Sequence, residues 1–244
     1  MIQTIADALA AQGYETMTPV QEAVIAPELD GADLLVSAQT GSGKTVAFGM
    51  AIAPTLLGDQ TTFGRATAPL ALVIAPTREL AMQVSRELTW LYSKAGAMVT
   101  TCVGGMDTRT ERRALDRGAH VVVATPGRLC DHIKRNNIDL TDIRAVVLDE
   151  ADEMLDLGFL PDVEKIFTST PARQQTMLFS ATMPGDIIAL ARRFMNQPVH
   201  IRTQDNEDEG AVVSRIEQHV VRAHAMDKIE MLARILQADG RGPT

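Results

Sequence analysis

The sequence predicts an α/β domain with a mainly parallel central sheet that is covered by helices on both faces. Short apolar segments alternate along the chain with amphipathic segments, a pattern typical of strand–helix–strand folds. Most of the apolar segments are continuous, as expected for strands that are buried on both faces. The 244 residues suffice for one large α/β domain or two small ones.

Seven segments are predicted as strands, and polar or glycine-rich residues follow several of them. The strands are Leu34–Val36, Leu70–Ile74, Met98–Val103, His120–Ala124, Ala145–Leu148, Thr176–Phe179 and Val199–Ile201. Helices are predicted between them, among them Glu79–Tyr92, Thr108–Arg117 and Leu160–Phe167. Ligands of open parallel sheets bind beyond the carboxyl ends of the strands. We therefore expect the chemical residues at that edge.

The composition indicates a cytosolic protein that does not associate with membranes. Hydrophobic residues make up 45% and charged residues 22% of the chain, which is ordinary for a globular protein. No apolar run reaches the ~18–20 residues of a membrane helix, and the amphipathic N-terminus lacks the pattern of a secretory signal. A net charge of −8 argues against binding nucleic acid through global charge, although a local groove stays possible.

Cysteines and histidines give no sign of a metal site or a disulfide. Cys102 and Cys130 lie in apolar stretches without metal-ligand spacing, so we expect two reduced, mostly buried thiols. The histidines are scattered, which favours structural or solvent-exposed roles; they are His120, His132, His200, His219 and His224.

The composition changes after Ile201, which divides the chain. We expect one domain over residues 1–202 and an acidic linker over residues 203–215. Residues 216–244 contain a strand-like segment, Ile216–Val221, and a helix-like one, Asp227–Leu236. These two elements cannot bury a core, so we expect the start of an otherwise missing second domain or a tail docked on the first.

The segment AQTGSGKT follows the first predicted strand and has the spacing of a phosphate-binding loop. Ala38 stands at the first glycine position, while Gly41 and Gly43 permit a tight turn. Backbone N–H groups and the N-terminus of the next helix attract phosphate there. Lys44 would reach the β- and γ-phosphates and Thr45 would bind Mg²⁺. The alternative is a glycine turn beside an ordinary surface lysine.

Two carboxylates end the predicted strand Ala145–Leu148. Phosphoryl transfer to water needs a metal ion to neutralise phosphate charge and a base to orient the water. Asp149 suits the metal and Glu150 suits the water. Asp149 could instead only cap the next helix. The position of Lys44 in a separate strand–helix unit of the same sheet favours the catalytic interpretation.

Seven motifs follow one another in a fixed order along the chain. They are GYETMTPVQ (Gly13–Gln21), AQTGSGKT (Ala38–Thr45), PTREL (Pro76–Leu80), GG (Gly104–Gly105), TPGR (Thr125–Arg128), DEAD (Asp149–Asp152) and SAT (Ser180–Thr182). The series resembles the first domain of the DEAD-box RNA helicases over roughly Gly13 to Ile201. The resemblance implies a RecA-like, P-loop three-layer sandwich and an ATP-dependent RNA helicase that uses ATP or ADP with Mg²⁺.

The resemblance also implies the residues that bind nucleotide. They are Tyr14, Thr18, Gln21, Gln39, Thr40, Gly41, Ser42, Gly43, Lys44 and Thr45. Gln21, helped by Thr18, would recognise the adenine edge, whereas packing is the favoured role of Tyr14. Lys44, Asp149 and Glu150 would be catalytic, with the metal bound by Thr45 and Asp149.

Two further groups follow from the resemblance. Asp152, Ser180 and Thr182 would couple the nucleotide state to strand separation. RNA would be bound by Pro76, Thr77, Arg78, Glu79, Gly104, Gly105, Thr125, Pro126, Gly127 and Arg128. Hydroxyl, arginine and backbone N–H groups suit phosphates and 2′-hydroxyls, so RNA binding should be independent of base sequence. The alternative for Arg78 and Arg128 is an ion pair within the domain.

The sequence also departs from the family pattern. Met17 stands where the family usually carries proline, and no aromatic residue precedes Gly13 to stack on adenine. We expect a monomer. No arginine-finger motif of a second RecA-like domain is present, so we expect the chain to bind nucleotide, contact RNA weakly and hydrolyse ATP slowly. The alternatives are a DNA helicase or small-molecule kinase with the same core, and an ATP-gated RNA- or protein-binding module.

Overall fold

The computed structural model describes residues 1–203 and 228–237. The chain separates into two units, Met1–Asp205 and Asn206–Thr244. In the second unit the structure describes one helix, Lys228–Gln237, which overlaps the predicted Asp227–Leu236. The predicted strand Ile216–Val221 and most of the predicted linker lie outside the described residues. None of the helices described is both long and apolar enough to cross a membrane.

The first unit is built on a seven-stranded sheet in which every strand pair is parallel. Its strands are β1 (Leu34–Ser37), β2 (Ala71–Ile74), β3 (Val99–Cys102), β4 (Val121–Ala124), β5 (Ala145–Leu148), β6 (Gln175–Ser180) and β7 (Val199–Arg202). Their order across the sheet is β3-β4-β2-β5-β6-β1-β7. The predicted fold class and all seven predicted strands are confirmed, with strand ends that differ by one residue at most.

Nine helices of residues 1–203 cover the sheet. They are α1 (Gln3–Ala11), α2 (Pro19–Val24), α3 (Lys44–Leu57), α4 (Arg78–Leu91), α5 (Thr108–Asp116), α6 (Pro126–Lys134), α7 (Ala151–Asp156), α8 (Leu160–Ser169) and α9 (Gly185–Phe194). The helix of the second unit, Lys228–Gln237, is α10. The side chains of Thr18, Thr77 and Asp107 accept backbone N–H bonds and so fix where α2, α4 and α5 begin.

The core lies in two layers, one on each face of the sheet. Along β2, Val73 packs into the layer that contains α1 to α4, while Leu72 packs into the layer that contains α6 to α9. Successive side chains of a strand point to opposite faces, so burial on both faces requires every position to be apolar. This explains the continuous apolar segments of the sequence. Cys102 and Cys130 are buried, as predicted.

Candidate nucleotide and RNA sites

The strand order divides the motifs into two groups at one edge of the sheet. β5, β6 and β1 are neighbours, and their carboxyl ends lead into the DEAD, SAT and phosphate-loop motifs. β3, β4 and β2 are neighbours on the other side, and they lead into GG, TPGR and PTREL. The predicted nucleotide residues and the predicted RNA residues therefore occupy adjacent halves of one edge. Motifs that are far apart in the chain are brought together by this order.

The phosphate-loop motif forms a tight turn between β1 and α3. Gly41 and Gly43 have φ values of +83° and +86°, a left-handed conformation that side chains with a Cβ rarely adopt. A Cβ on Gly43 would also lie 2.6 Å from Nε2 of Gln21. Within the turn, Ser42 Oγ donates to the carbonyl of Gln39 at 2.8 Å. The loop thus directs backbone N–H groups and the N-terminus of α3 to the same place.

Lys44 and the carboxylates of Asp149 and Glu150 meet beyond the ends of β1 and β5. Lys44 Nζ lies 3.8 Å from Asp149 Oδ1 and 3.6 Å from Glu150 Oε1. Lys44 and Asp149 are only 6% and 2% exposed, yet Lys44 Nζ and Asp149 Oδ1 have no hydrogen-bond partner among the residues that the structure describes. Burial raises the pKa of Asp149 to about 6, against the opposing attraction of Lys44.

These unpartnered atoms fit a metal-bound nucleotide. A buried polar atom without a partner costs about 1–3 kcal/mol, so an ammonium and a carboxylate oxygen held this way favour a ligand that satisfies both. Phosphate oxygens would satisfy Lys44, and Mg²⁺ prefers carboxylate oxygens such as Asp149 Oδ1. The alternative of Asp149 as a helix cap does not apply, because the N-cap of α7 is Glu150.

Glu150 has a strained backbone and already contacts the phosphate loop. Its φ is +51°, which is uncommon for a residue other than glycine, and such strain clusters at functional sites. Its Oε1 accepts a hydrogen bond of 2.9 Å from Thr40 Oγ1. The tip of the loop and the carboxylate are thereby connected.

The predicted adenine residues surround the start of α2. Gln21 is 1% exposed; its Nε2 donates to the Gly43 carbonyl at 3.2 Å and its Oε1 accepts from the Thr18 N–H at 3.0 Å. Gln21 therefore contacts the phosphate loop directly. Tyr14 is 42% exposed, and its ring lies 5.5 Å from that of Trp90. This contact agrees with a packing role for Tyr14.

Asp152, Ser180 and Thr182, which the resemblance groups, form one hydrogen-bonded cluster. Asp152 Oδ2 accepts from the backbone N–H of Thr182 at 2.9 Å and from its hydroxyl at 2.8 Å. Ser180 Oγ accepts from the Asp152 N–H at 3.2 Å and donates to the Thr182 carbonyl at 2.7 Å. The start of α7 and the segment after β6 are joined by these bonds.

The predicted RNA residues lie together, but the two arginines differ. Arg78 donates to the Gly104 carbonyl at 3.3 Å and has no ion-pair partner among residues 1–203. Arg128 is 15% exposed and is paired with Glu111, whose Oε2 lies 2.9 Å from its Nη1. Arg128 also donates to the Met106 carbonyl at 3.0 Å. The alternative of an ion pair within the domain is therefore observed for Arg128.

Glu111 is the centre of a buried network that the sequence analysis missed. Its Oε1 accepts from the Val103 N–H at 2.8 Å, and its Oε2 accepts from Arg128 and from His132 Nε2, the latter at 2.7 Å. The only sequence signal was Thr108-x-x-Glu111, a pattern that suggests a helix cap instead. Asp107 caps α5, which leaves Glu111 free to point inward.

The thiol of Cys102 lies against this network, and Cys102, Glu111 and His132 place their ligand atoms within 4.8 Å of one another. Burial raises the pKa of Cys102 to about 12, and the charge of Glu111 adds to the shift. A metal ion would need the thiolate and would have to displace Arg128 from Glu111. The cluster is thus better explained as a structural network.

Comparison with known proteins agrees with this geometry. The profile of the DEAD/DEAH box helicase family matches residues 18–190. The curated DEAD-box ATP-dependent RNA helicase CshA of Geobacillus kaustophilus is 42% identical over 234 residues, which is 96% of this chain and 48% of that protein. The ATP-dependent RNA helicase CshA of Listeria monocytogenes is also 42% identical, over 96% of this chain and 43% of its own length.

Solved structures show the same likeness. A DEAD box protein from Methanococcus jannaschii matches 97% of this chain and 61% of its own, with a TM-score of 0.75 and 34% identity. A hypothetical ATP-dependent RNA helicase from Sulfolobus tokodaii matches 83% of this chain and 57% of its own, with the same TM-score and identity. The chain spans about half the length of the curated relatives it matches. It belongs to the DEAD/DEAH box helicase family.

Proposed function

We propose that this chain is the nucleotide-binding first domain of an ATP-dependent RNA helicase. In the whole protein, binding and hydrolysis of Mg-ATP would drive the opening or remodelling of RNA duplexes. The observation that carries the proposal is the buried pair of Lys44 Nζ and Asp149 Oδ1 beside a left-handed glycine loop, since neither atom finds a hydrogen-bond partner in the described part of the chain. The curated relatives are named as ATP-dependent RNA helicases, which supports the same conclusion.

Each nucleotide residue has a role that its position supports. Lys44 and the N–H groups of the loop neutralise phosphate, while Thr45 at the start of α3 and Asp149 hold Mg²⁺. The ion, when bound, supplies positive charge to the phosphate oxygens. Glu150 orients the attacking water and accepts its proton, and its Oε2 is available for this while Oε1 accepts from Thr40. Gln39, Gly41, Ser42 and Gly43 form the turn.

Recognition of the base is assigned to Gln21 and Thr18. The Gln21 amide offers both a donor and an acceptor, which matches the donor and acceptor of the adenine edge. In the structure these atoms bond to Gly43 and Thr18, so adenine would replace bonds that already exist. Tyr14 packs on Trp90 and adds apolar surface beside this loop.

The RNA half of the edge suits a sugar–phosphate backbone. Thr77 and Thr125 stand immediately before α4 and α6. The backbone of Gly104 is open to a ligand, whereas a Cβ on Gly105 would lie 2.8 Å from Nη1 of Arg78. Pro76, Glu79, Pro126 and Gly127 complete the two loops, while Arg78 supplies charge. Contacts of this kind position RNA without reading its bases. Asp152, Ser180 and Thr182 are proposed to transmit the nucleotide state.

A second RecA-like domain is proposed to complete both sites in the whole protein. An arginine finger is worth about 10³–10⁵ in rate, so the 244-residue chain should bind nucleotide as a monomer but turn it over slowly. An ATP-gated RNA- or protein-binding module would use the same pockets without duplex opening. The carboxylate of Glu150 beside Lys44 favours hydrolysis over gating alone.

Nucleotide binding tests the site directly. ADP affinity should fall at least about tenfold in Lys44→Ala, which corresponds to 1.4 kcal/mol, and should be unchanged in Lys94→Ala, which removes an exposed lysine. Equal affinities in the two variants would refute the assignment. ATP turnover by the chain should be low and unaffected by RNA. In the longer protein with both domains, Glu150→Gln should retain ATP binding and lose turnover.

A further inference from the structure

Helix α5 carries a dense group of arginines in an otherwise acidic chain. The net charge of the chain is −8, but α5 and the residue that ends it hold four exposed arginines, Arg109, Arg112, Arg113 and Arg117. Two exposed carboxylates offset only part of this charge: Asp116 lies 3.7 Å from Arg112, and Asp107, which caps α5, lies near Arg109. Arg109 and Arg113 have no ion-pair partner among residues 1–203.

The orientation of this helix is fixed from its inner side. Glu111 points into the domain and bonds to Arg128 and His132 of α6. At 3.6 residues per turn, Arg109 and Arg113 lie roughly 160° around the helix from Glu111, one on each side, and so face outward. The two arginines are one turn apart, or about 6 Å along the axis. The outer face of α5 is therefore held in place rather than free to rotate.

The same helix borders the RNA half of the edge. α5 packs against β3 and begins just after the Gly104–Gly105 loop, to which Arg78 is bonded. Arg128 of the TPGR motif points inward, and its charge is paired with that of Glu111. The exposed arginines of α5, rather than Arg128, can therefore supply the positive charge that binds an RNA backbone at this end of the edge.

We propose that Arg109 and Arg113 bind the phosphates of the RNA segment that runs past Gly104–Gly105. The proposal rests on the proposed function, since it adds the outer face of α5 to the proposed RNA-binding surface. Guanidinium groups bind phosphate with two parallel N–H bonds, independently of base sequence. In a chain with net negative charge, a local cationic track of this kind decides where RNA can lie.

Salt dependence of RNA binding measures the number of phosphates bound. The full chain, with an ATP analogue, would be titrated against fluorescent single-stranded RNA at several salt concentrations. In Arg109→Gln/Arg113→Gln, the slope of log K against log salt should become shallower by about 1.4, or 0.7 for each phosphate lost. Affinity at low salt should fall roughly 3- to 10-fold. Arg109→Lys/Arg113→Lys should keep the original slope.

A matched control removes two exposed arginines elsewhere, Arg86→Gln/Arg192→Gln, from α4 and α9. This variant should bind RNA with the original slope. Equal losses in both pairs would mean that only total charge matters and would overturn the proposal. An unchanged slope in the α5 variant, with RNA still bound, would also overturn it while leaving the proposed function intact. No RNA binding by any form of the chain would instead refute the proposed function.

Discussion

Replacing Glu111 by alanine should destabilise the domain strongly, although Glu111 belongs to no motif of the family. The substitution removes acceptors from three donors: the Val103 N–H, the Arg128 guanidinium and His132 Nε2. Removing one partner of a buried ion pair costs about 3–5 kcal/mol. Arg128 is 15% exposed and can recover some hydration, so we expect the lower end, about 3 kcal/mol.

Urea unfolding followed by circular dichroism gives the free energy of unfolding for this comparison. Glu111→Gln keeps an acceptor for the Val103 N–H but loses the charge, so its loss should be intermediate. Arg112→Ala removes an exposed side chain of the same helix and should stay within about 0.5 kcal/mol of the wild type. Combining Glu111→Ala with Arg128→Ala should cost less than the sum of the two single losses.

A Glu111→Ala protein within about 1 kcal/mol of the wild type would refute the network. It would mean that the three donors find other acceptors or water at little cost. Strictly additive losses in the double variant would show that Glu111 and Arg128 do not interact. Either result would also remove the argument that α5 is held in a fixed orientation.

Three further predictions concern the recognition of adenine, the two buried thiols and Gly118. Gln21→Ala should lower ATP affinity about tenfold and abolish the preference for ATP over GTP, measured by calorimetry; a retained preference would contradict the adenine assignment. Burial raises the pKa of Cys102 to about 12 and that of Cys130 to about 11, so at pH 8 both thiols should resist alkylation until urea unfolds the chain; rapid labelling of the native protein would contradict this. Gly118 has φ +95° and a Cβ there would lie 2.3 Å from a carbonyl oxygen. Gly118→Ala should therefore lower the unfolding free energy by about 2 kcal/mol or more, unlike Gly185→Ala, whose Cβ meets open space.

The strands of the sheet could be predicted from the sequence, because burial on both faces leaves a local apolar pattern in the chain. A strand that is buried on both faces must be apolar at every position, as in the run Val121–Ala124, and such runs are visible in the chain itself. The phosphate loop was predictable for a similar reason: left-handed turns at Gly41 and Gly43 require glycine. The order of the strands was not predicted, because it depends on which helices pack together across the sheet.

The network of Glu111 was not predictable, since it joins residues through contacts that leave no spacing in the sequence. Glu111 and Arg128 are 17 positions apart and lie on different helices. An arginine in a TPGR motif resembles a ligand-binding residue whether it points outward or inward. The contact of Tyr14 with Trp90 was not predictable either, because it depends on how α1 and the loop that follows it pack on α4. Side-chain direction is decided by tertiary packing, not by the motif.

The strand order also gives a physical basis for coupling between the proposed nucleotide and RNA sites. The halves of the edge meet where β5 pairs with β2, and the Asp149 N–H donates to the Ile74 carbonyl at 2.9 Å. Next along the edge, the Ala75 N–H donates to the Ala124 carbonyl at 3.0 Å, and the Thr125 N–H donates to the Cys102 carbonyl at 3.1 Å.

These bonds form a continuous backbone connection from the DEAD motif to the strand that precedes GG. A displacement of Asp149 on binding Mg-ATP would therefore reach the starts of PTREL and TPGR through backbone bonds alone. Coupling between two ligands is reciprocal, so RNA should tighten ATP binding by the same factor by which ATP tightens RNA binding. A factor of one, measured by titrating each ligand with and without the other, would show that this backbone connection does not couple the two sites.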